Sequence, residues 1–338
     1  MQIDDMEEFW ITMKLPGLNE EISGRRLSGM PSETHVYLAL DREGFRHLFI
    51  QVDDTAGQQQ LFRTRGLDVS ISRFKIGTNP ESFYVDFFCS NQRQNSTFTA
   101  VAADVIRSIR AEKSDLLELI NGVLARWRDF WTASTEQMTQ EEAVGLFGEL
   151  WFLLRWFPAT DSNVIGMWQR DRSALHDFQG DRISVEVKTA NSRTLGAPFH
   201  HISGIDQLED PEQGQLYLFS LQVTEDALSG NTLHSLVKSA QSKLWNDYRA
   251  LSEFNEKIVS RGYTLDDSGY PARGFRILSE RLYSIGEGFP RIIRRTFGTV
   301  GPPAGTSDIR YTLDMAACDG WLIARNPEDN SNPLRKNY

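Results

Sequence analysis

The sequence predicts a mixed α+β protein, within the broad α/β class, and two kinds of pattern carry this prediction. Apolar and polar residues alternate strictly from Arg182 to Thr189, which is the period-two pattern of a half-buried strand. Elsewhere, as in Asp115–Trp131, large apolar residues recur at steps of three and four, which is helical spacing. Strand-like and helical segments both occur on each side of the chain's midpoint.

Residues 1–132 are predicted to form an N-terminal α+β domain. Thr34–Leu40 and Phe45–Val52 are strand-like, and Asp41-Arg42-Glu43-Gly44 between them is a turn sequence, so a hairpin is expected. Further strand-like segments and two helical segments follow. No catalytic constellation occurs in this part, which leaves a structural role, a protein-interaction role or a DNA-positioning role open.

Residues 133–228 are predicted to contain a helix, a strand hairpin, a helical crossover and a further strand. Thr139-Gln140-Glu141-Glu142 is a capping-box pattern, which marks a helix start. Glu149 lies at the edge of that helix's apolar stripe, where a carboxylate is costly unless something pairs with it. Glu149 is therefore a candidate site residue. The alternative is an edge glutamate that reaches water or pairs with an arginine.

The stretch around Asp177 carries the chemistry. Gln179-Gly180-Asp181 is a turn sequence, so the residues before it can pair with Arg182–Thr189 as a hairpin. Asp177 would then lie across from the strand face that bears Glu186 and Lys188. Two carboxylates and an ammonium on a rigid sheet can hold Mg²⁺ or Mn²⁺ beside a phosphate. A solvated charge pair on an exposed strand face is the alternative.

Asp177, followed nine positions later by Glu186-Val187-Lys188, resembles the Asp…(Asp/Glu)-x-Lys signature of the PD-(D/E)XK nuclease superfamily. His176 stands where that signature usually has proline. Together with further stretches, the chain resembles a bacterial PD-(D/E)XK-motif protein family whose genes lie beside restriction or phage-defence components. These stretches are Gly145–Trp151, His200–Ser203 and Asp308–Asp314.

The resemblance implies a restriction-endonuclease-like core, a central mixed sheet flanked by helices, with N-terminal α+β and C-terminal extensions. It implies an endonuclease that uses Mg²⁺ (or Mn²⁺) to hydrolyse DNA. Asp177 and Glu186 would bind the metal, with Glu149 completing the ligand set or orienting the attacking water. Lys188 would stabilise developing charge. Gln207 resembles an accessory glutamine that some members carry near the metal.

Residues 229–338 are predicted to form a C-terminal helical and mixed extension packed on the core, with a disordered tail from 326 onward. Between 273 and 295 six arginines face only two glutamates, which is the most basic stretch of the chain. Arg291, Arg294 and Arg295 are therefore candidate contacts for DNA phosphates. Pairing with acids elsewhere in the protein is the alternative. His200 and His201 are expected to be polar loop residues.

Composition excludes several classes. No apolar run of about 18 residues and no signal peptide occur, so a cytoplasmic protein without a membrane span is expected. Cys89 and Cys318 lie too far apart in sequence for a metal finger and are expected to pack in strands. The net charge of −10 opposes nonspecific coating of nucleic acid.

The acidity and the missing proline keep a second hypothesis open. In it, the chain is a catalytically degenerate nuclease fold that binds nucleic acid or acts as a scaffold in a defence complex. Protein partners from the same operon and a homo-oligomer are compatible with both hypotheses.

Overall fold

The structure is a computed structural model of the chain. It describes residues 3–18, 20–31, 34–53, 59–64, 66–76, 79–111, 115–132, 138–169, 174–192, 196–263, 273–298, 301–306 and 308–335. The chain divides into two compact units. Unit 1 comprises Met1–Gln137 and Ile258–Gly269, and unit 2 comprises Met138–Lys257 and Tyr270–Tyr338. The predicted three-part division, with its boundaries at 132 and 228, stays a prediction.

Unit 1 contains an antiparallel sheet whose strands follow the order β1-β2-β3-β6-β5-β4 in the described residues. The strands are β1 (Ile22–Arg26), β2 (Val36–Asp41), β3 (Arg46–Gln51), β4 (Gln59–Arg63), β5 (Leu67–Phe74) and β6 (Ser82–Cys89). The helices are α1 (Ile3–Ile11), α2 (Asn95–Ala111) and α3 (Leu116–Thr132). The helices bury residues such as Trp10, Phe98 and Trp127 in one core with Leu48 and Val85 of the sheet. The predicted hairpin of β2 and β3 is confirmed.

A charged group is buried on the other face of this sheet. His47 Nδ1 lies 2.8 Å from Asp86 Oδ1, and the imidazole stacks between the rings of Phe49 and Phe88. Burial by itself would lower the pKa of His47, but the charges and hydrogen bonds of Asp86 and Asp41 outweigh it and raise that pKa to about 9. The imidazolium form is therefore part of the folded unit at neutral pH.

Unit 2 is built on a five-stranded mixed sheet with the strand order β13-β11-β10-β8-β7. The strands of unit 2 are β7 (Phe178–Gln179), β8 (Ile183–Asn191), β9 (Phe199–Ile202), β10 (Gln215–Glu225), β11 (Phe275–Ile285), β12 (Tyr311–Asp314) and β13 (Leu322–Ala324). Only the pair β8 and β10 is parallel among the described strands of this sheet. The predicted class, a mixed α+β fold with a central mixed sheet flanked by helices, is confirmed.

Helix α4 (Gln140–Arg155) packs against one face of the mixed sheet, and α6 (Leu233–Lys243) packs against α4. The other helices are α5 (Ser162–Met167) and α7 (Tyr248–Ser260), and the last three residues of α7 belong to unit 1. The predicted capping box at the start of α4 is present, with Thr139 and Glu142 each capping the other's backbone N–H. Phe152 of α4 packs against Phe178 of β7 and Phe219 of β10. This packing anchors α4 across the strands that carry the acidic motif.

A two-stranded ribbon of β9 and β12 lies over the opposite face. Ile202 of β9 and Leu313 of β12 share a buried cluster with Leu216 and Leu218 of β10 and Tyr283 of β11. Three of the strands in these two sheets, β11, β12 and β13, come from the part of the chain after residue 229. The C-terminal part therefore completes the central sheet as well as covering it.

Several local predictions need correction. The described part of the crossover between β8 and β10 contains β9 and a short 3-10 helix, Ile205–Leu208, instead of an α-helix. The tail is ordered as far as the structure describes it, with Leu334 and Asn332 buried. His200 and His201 lie on strand β9 and not in a loop.

Two other observations concern helices and cysteines. No described helix is long and apolar enough to span a bilayer. Cys89 is buried at the end of β6, as predicted, whereas Cys318 is buried on a 3-10 helix, Met315–Trp321, and not in a strand, so its predicted position is corrected.

Candidate active site

The acidic motif lies at the point where hairpin pairing stops. Strand β7 pairs with β8 through Phe178–Val185 and Gln179–Ser184, so the predicted hairpin is confirmed. Continued by one residue, this register puts Asp177 across from Glu186. The carboxylate of Asp177 occupies the edge of β8 there, because its Oδ2 accepts a 2.8 Å hydrogen bond from the Val187 amide.

Lys188 is held by two oxygen atoms. Its Nζ lies 2.9 Å from Glu186 Oε1 and donates to Gln207 Oε1, also at 2.9 Å. The same Gln207 oxygen accepts a hydrogen bond from the Ser203 amide. Glu186 is 4 % exposed, whereas Lys188 keeps contact with solvent. The structure therefore brings Lys188, Glu186 and Gln207 into direct contact.

Glu149 is buried on α4 and anchored by a tryptophan. Its Oε2 accepts a 2.7 Å hydrogen bond from Trp168 Nε1. The preceding residue, Gly148, faces Thr189 of β8 so closely that a Cβ at this position would overlap the threonine Oγ1. Glycine thus lets α4 approach the motif strand and brings Glu149 with it. Sequence reasoning assigned no such role to Gly148 or Trp168.

The charges of this cluster shift the pKa values of Asp177, Glu186 and Lys188. Burial first, and then the charges of Glu186 and Glu149, raise the pKa of Asp177 well above its ordinary value. Burial also raises the pKa of Glu186, with Glu149 adding to the effect and Lys188 opposing it. Burial alone would lower the pKa of Lys188, but the three carboxylates outweigh it and raise that pKa. These four groups form one electrostatic cluster.

The donor set of this cluster suits a hard divalent cation. Three carboxylates and one ammonium leave two negative charges when all are ionised. In the described part of the chain no three His, Cys, Asp or Glu side chains converge closely enough to hold a metal ion unaided. Mg²⁺ needs fewer protein ligands, since it commonly keeps several waters and takes one or two carboxylates. Asp177 and Glu186, next to each other in the hairpin register, meet that requirement.

Two buried histidines neighbour residues of the cluster. His200 Nε2 is 2.7 Å from Ser220 Oγ, and Ser220 is the register partner of Lys188. Burial first, and then the charge of Lys188, lower the pKa of His200 to about 3, so its ring is neutral. His176 is buried, and its Nε2 bonds to the backbone oxygen of Glu209. The sequence showed His176 only as the residue that replaces proline in the motif, and it did not predict this buried hydrogen bond.

The basic stretch divides into one buried arginine and two exposed ones. The Arg291 side chain is 3 % exposed and donates to the Leu208 carbonyl and to Asp210, so its guanidinium is not accessible to a phosphate. Arg294 and Arg295 are 62 % and 65 % exposed, and they pair with Asp206 and Asp210 respectively. Phosphate contact stays a prediction for these two.

Comparison with known proteins identifies the family of the chain. A family model described as "Putative PD-(D/E)XK family member, (DUF4420)" matches residues 6–316, a span that includes the whole cluster around Lys188. No curated protein and no solved structure matches the chain. The resemblance seen in the sequence is therefore confirmed at the level of the family. The association with restriction or phage-defence loci stays a prediction.

Proposed function

This chain belongs to the DUF4420 family of PD-(D/E)XK proteins, and we propose that it is an endonuclease that uses Mg²⁺ or Mn²⁺ to hydrolyse DNA. The observation that carries the proposal is the gathering of Glu149, Asp177, Glu186 and Lys188 into one electrostatic cluster at the edge of β8. A purely structural strand edge gains nothing from buried acids whose pKa values are raised, as those of Asp177 and Glu186 are. A site for a divalent cation does.

Each residue of the cluster has a chemical role in this proposal. Asp177 and Glu186 would hold the cation, which when bound would polarise the phosphate and lower the pKa of an attacking water. Lys188, steadied by Gln207, stabilises the charge that develops on the phosphoryl oxygens. Glu149, anchored by Trp168, completes the ligand set or orients the attacking water.

The surface around Arg294 and Arg295 is the proposed contact for the DNA backbone. Exposed ion pairs are weak because water and salt screen them, so phosphates can replace Asp206 and Asp210 as the partners of these arginines at little cost. We assign Arg291 to bracing the segment that carries Gln207, since its side chain is buried. This division limits the phosphate-binding surface to the two exposed arginines.

The proposed biological setting is that of the family which the sequence resembles. A cytoplasmic enzyme of a bacterial restriction or phage-defence system, acting with protein partners or as a homo-oligomer, follows from the family resemblance alone. The acidic net charge of −10 favours such partners, because they would supply further phosphate contacts.

A second candidate is a degenerate nuclease fold that binds nucleic acid or serves as a scaffold. The 2.9 Å ion pair between Glu186 and Lys188 favours it, because this pairing satisfies both groups without a cation. The two candidates differ in a measurable way: only the enzyme should gain stability from Mg²⁺ or Mn²⁺ through this cluster.

A cleavage assay tests the proposal. Single-stranded and double-stranded DNA and RNA would each be incubated with the protein and Mg²⁺ or Mn²⁺. Lys188→Ala should lower the cleavage rate on DNA by about 100-fold or more, the usual scale for loss of a charge-stabilising group. Lys14→Ala, at an exposed lysine of unit 1, is the matched control and should cleave like wild type. Equal cleavage by Lys188→Ala, or none by wild type, would count against the enzyme.

A further inference from the structure

One buried side chain next to Asp177 in the chain has no role in the proposed reaction. His176 is 1 % exposed, and its Nε2 lies 3.0 Å from the carbonyl oxygen of Glu209. A carbonyl oxygen only accepts, so the ring must carry its hydrogen on Nε2 and donate it. The other nitrogen, Nδ1, is buried without a hydrogen-bond partner among the described residues. Burying an unpaired acceptor costs free energy, which a mere space-filling residue would avoid.

The bond from His176 ends on a segment that reaches Lys188. Glu209 directly follows the 3-10 helix Ile205–Leu208, and its amide bonds back to Asp206. That helix carries Gln207, whose Oε1 holds Lys188 Nζ at 2.9 Å. One hydrogen bond therefore links the residue before Asp177 to the turn that positions Lys188.

A second side chain holds the same segment. Arg291 donates to the carbonyl of Leu208 and to Asp210, which flank Glu209 on either side. With His176 this fixes three consecutive residues, 208–210, immediately after Gln207. The carbonyl that accepts from His176 belongs to Glu209, two residues after Gln207. Loss of this hydrogen bond should therefore change the position of Gln207 more than it changes the sheet.

We infer that His176 is a positioning residue of the site. Its hydrogen bond to Glu209 connects the chain next to Asp177 with the 3-10 helix Ile205–Leu208, and so keeps Gln207 in place to accept from Lys188. The inference rests on the proposed function, because the consequence of the link is the orientation of a charge-stabilising lysine. Proline, the superfamily's usual residue here, has no hydrogen to donate and could not make this link. The histidine is thus a functional departure from the motif.

Three substitutions separate the hydrogen bond from the space that the ring fills. His176→Gln keeps an N–H donor at similar reach, His176→Leu keeps the volume without a donor, and His176→Asn is polar but too short to reach Glu209. Hydrogen exchange of the metal-free full-length chain, followed in the peptide covering 203–210, reports the link without any catalysis. We expect exchange about 10-fold faster or more in the Leu and Asn variants, and within about threefold of wild type in the Gln variant.

Kinetics test whether the link acts through Gln207. With Mg²⁺, His176→Leu and His176→Asn should lower kcat on DNA about 10- to 100-fold while KM changes less than about threefold, since a misplaced group chiefly costs turnover. His176→Gln should restore most of kcat. In a Gln207→Leu background, adding His176→Leu should cost less than about threefold, because residues that act through one another are not additive.

The outcomes separate the inference from the proposed function. Unchanged exchange in 203–210 for both the Leu and Asn variants would overturn the inference, and so would an equal loss of kcat in both backgrounds. If wild type and Lys188→Ala are equally inactive, the proposed function fails, while the exchange experiment still decides whether His176 fixes the segment. A Leu variant that does not fold leaves the Asn and Gln variants to decide the question.

Discussion

Replacing Glu186 by glutamine removes one of three negative charges at the edge of β8 and keeps the side chain's length. Two effects oppose each other in the metal-free protein. The change weakens the 2.9 Å pair with Lys188, but it also relieves the cost of burying an ionised carboxylate near Glu149 and Asp177. Because the pKa of Glu186 is raised overall, the second effect is larger. We expect the metal-free Tm to rise by about 2–4 °C, which corresponds to about 1 kcal/mol.

The pH dependence of stability has the same origin. The folded pKa values of Asp177 and Glu186 lie above their ordinary values of 3.8 and 4.5. A carboxyl group with a raised folded pKa contributes stability at low pH, and this contribution is lost as pH rises through the folded pKa. Metal-free wild type should therefore lose stability as pH rises above 4.5, and Glu186→Gln should lose less.

Metal binding then gives the decisive magnitude. A cation present at 100 times its Kd stabilises the folded state by about 2.7 kcal/mol, which for a domain of 150–250 residues raises Tm by about 5–10 °C. Glu186→Gln lacks one of the two carboxylates proposed to hold the cation. Its Tm should therefore rise by less than about 2 °C under the same conditions.

Differential scanning fluorimetry measures the metal-free Tm, its change with pH and its shift on addition of Mn²⁺. Glu287→Gln makes the same chemical change at an exposed turn and should behave like wild type. A wild type that gains no stability from metal, or a Glu186→Gln variant with the wild-type shift, would refute the assignment of this cluster as a cation site. A lower metal-free Tm in Glu186→Gln would show that the pair with Lys188 is stabilising, as the scaffold hypothesis requires.

Three further predictions concern other parts of the molecule. Gly148→Ala should lower Tm by about 3–10 °C in the same assay, because the new methyl group overlaps Thr189 Oγ1. Replacing Arg294 and Arg295 by glutamine should weaken binding to all DNA sequences alike and reduce the slope of log Kd against log salt by about 2 in fluorescence anisotropy titrations. The stabilisation from His47, whose folded pKa of about 9 is raised from 6.5, is complete below pH 6.5 and is lost as pH rises through 9. Urea unfolding from pH 7 to 10 should show a loss of up to about 3 kcal/mol that His47→Gln lacks.

Each of these three predictions has a control variant or a result that would contradict it. A Cβ on Gly145, three residues before Gly148 on α4, would meet open space, so Gly145→Ala should be neutral or slightly stabilising. An equal loss at both glycines would argue against the close approach of α4 to β8. Arg310 is as exposed as Arg294 and pairs with Asp308, so an equal effect of Arg310→Gln on the salt slope would argue against a localised phosphate surface. For His47, a variant with the same alkaline loss as wild type would contradict the assignment.

The features that the sequence predicted well are local ones. A capping box and a period-two strand depend on residues within a few positions of one another, and both α4 and β8 form where these patterns stand. The sequence also predicted that Asp177 lies across from Glu186. Side chains in a hairpin alternate with a period of two residues, and a short turn fixes the register. Parity alone places the two acids across from each other.

The features that were missed depend on contacts between distant parts of the chain. Arg291 is buried because it meets Leu208 and Asp210, more than 80 residues earlier, and nothing in the arginine-rich stretch itself reveals those partners. The role of Gly148 depends on how closely α4 approaches β8, which no spacing in the helix records. The tail from 326 onward is polar in sequence, yet Leu334 is buried within the fold. In each case tertiary packing overrode the local pattern.

The hydrogen bond from Val187 to Asp177 has a consequence for how the protein behaves in solution. Strand β7 pairs with only two residues of β8, and beyond them a bare strand edge would offer N–H and C=O groups to any passing strand. The Asp177 carboxylate occupies the first of these N–H groups, so the proposed metal ligand also closes this position of the edge to a strand of another molecule. Asp177→Ala removes the acceptor and leaves the Val187 amide open to such pairing, whereas Asp177→Asn keeps an acceptor oxygen for the Val187 amide.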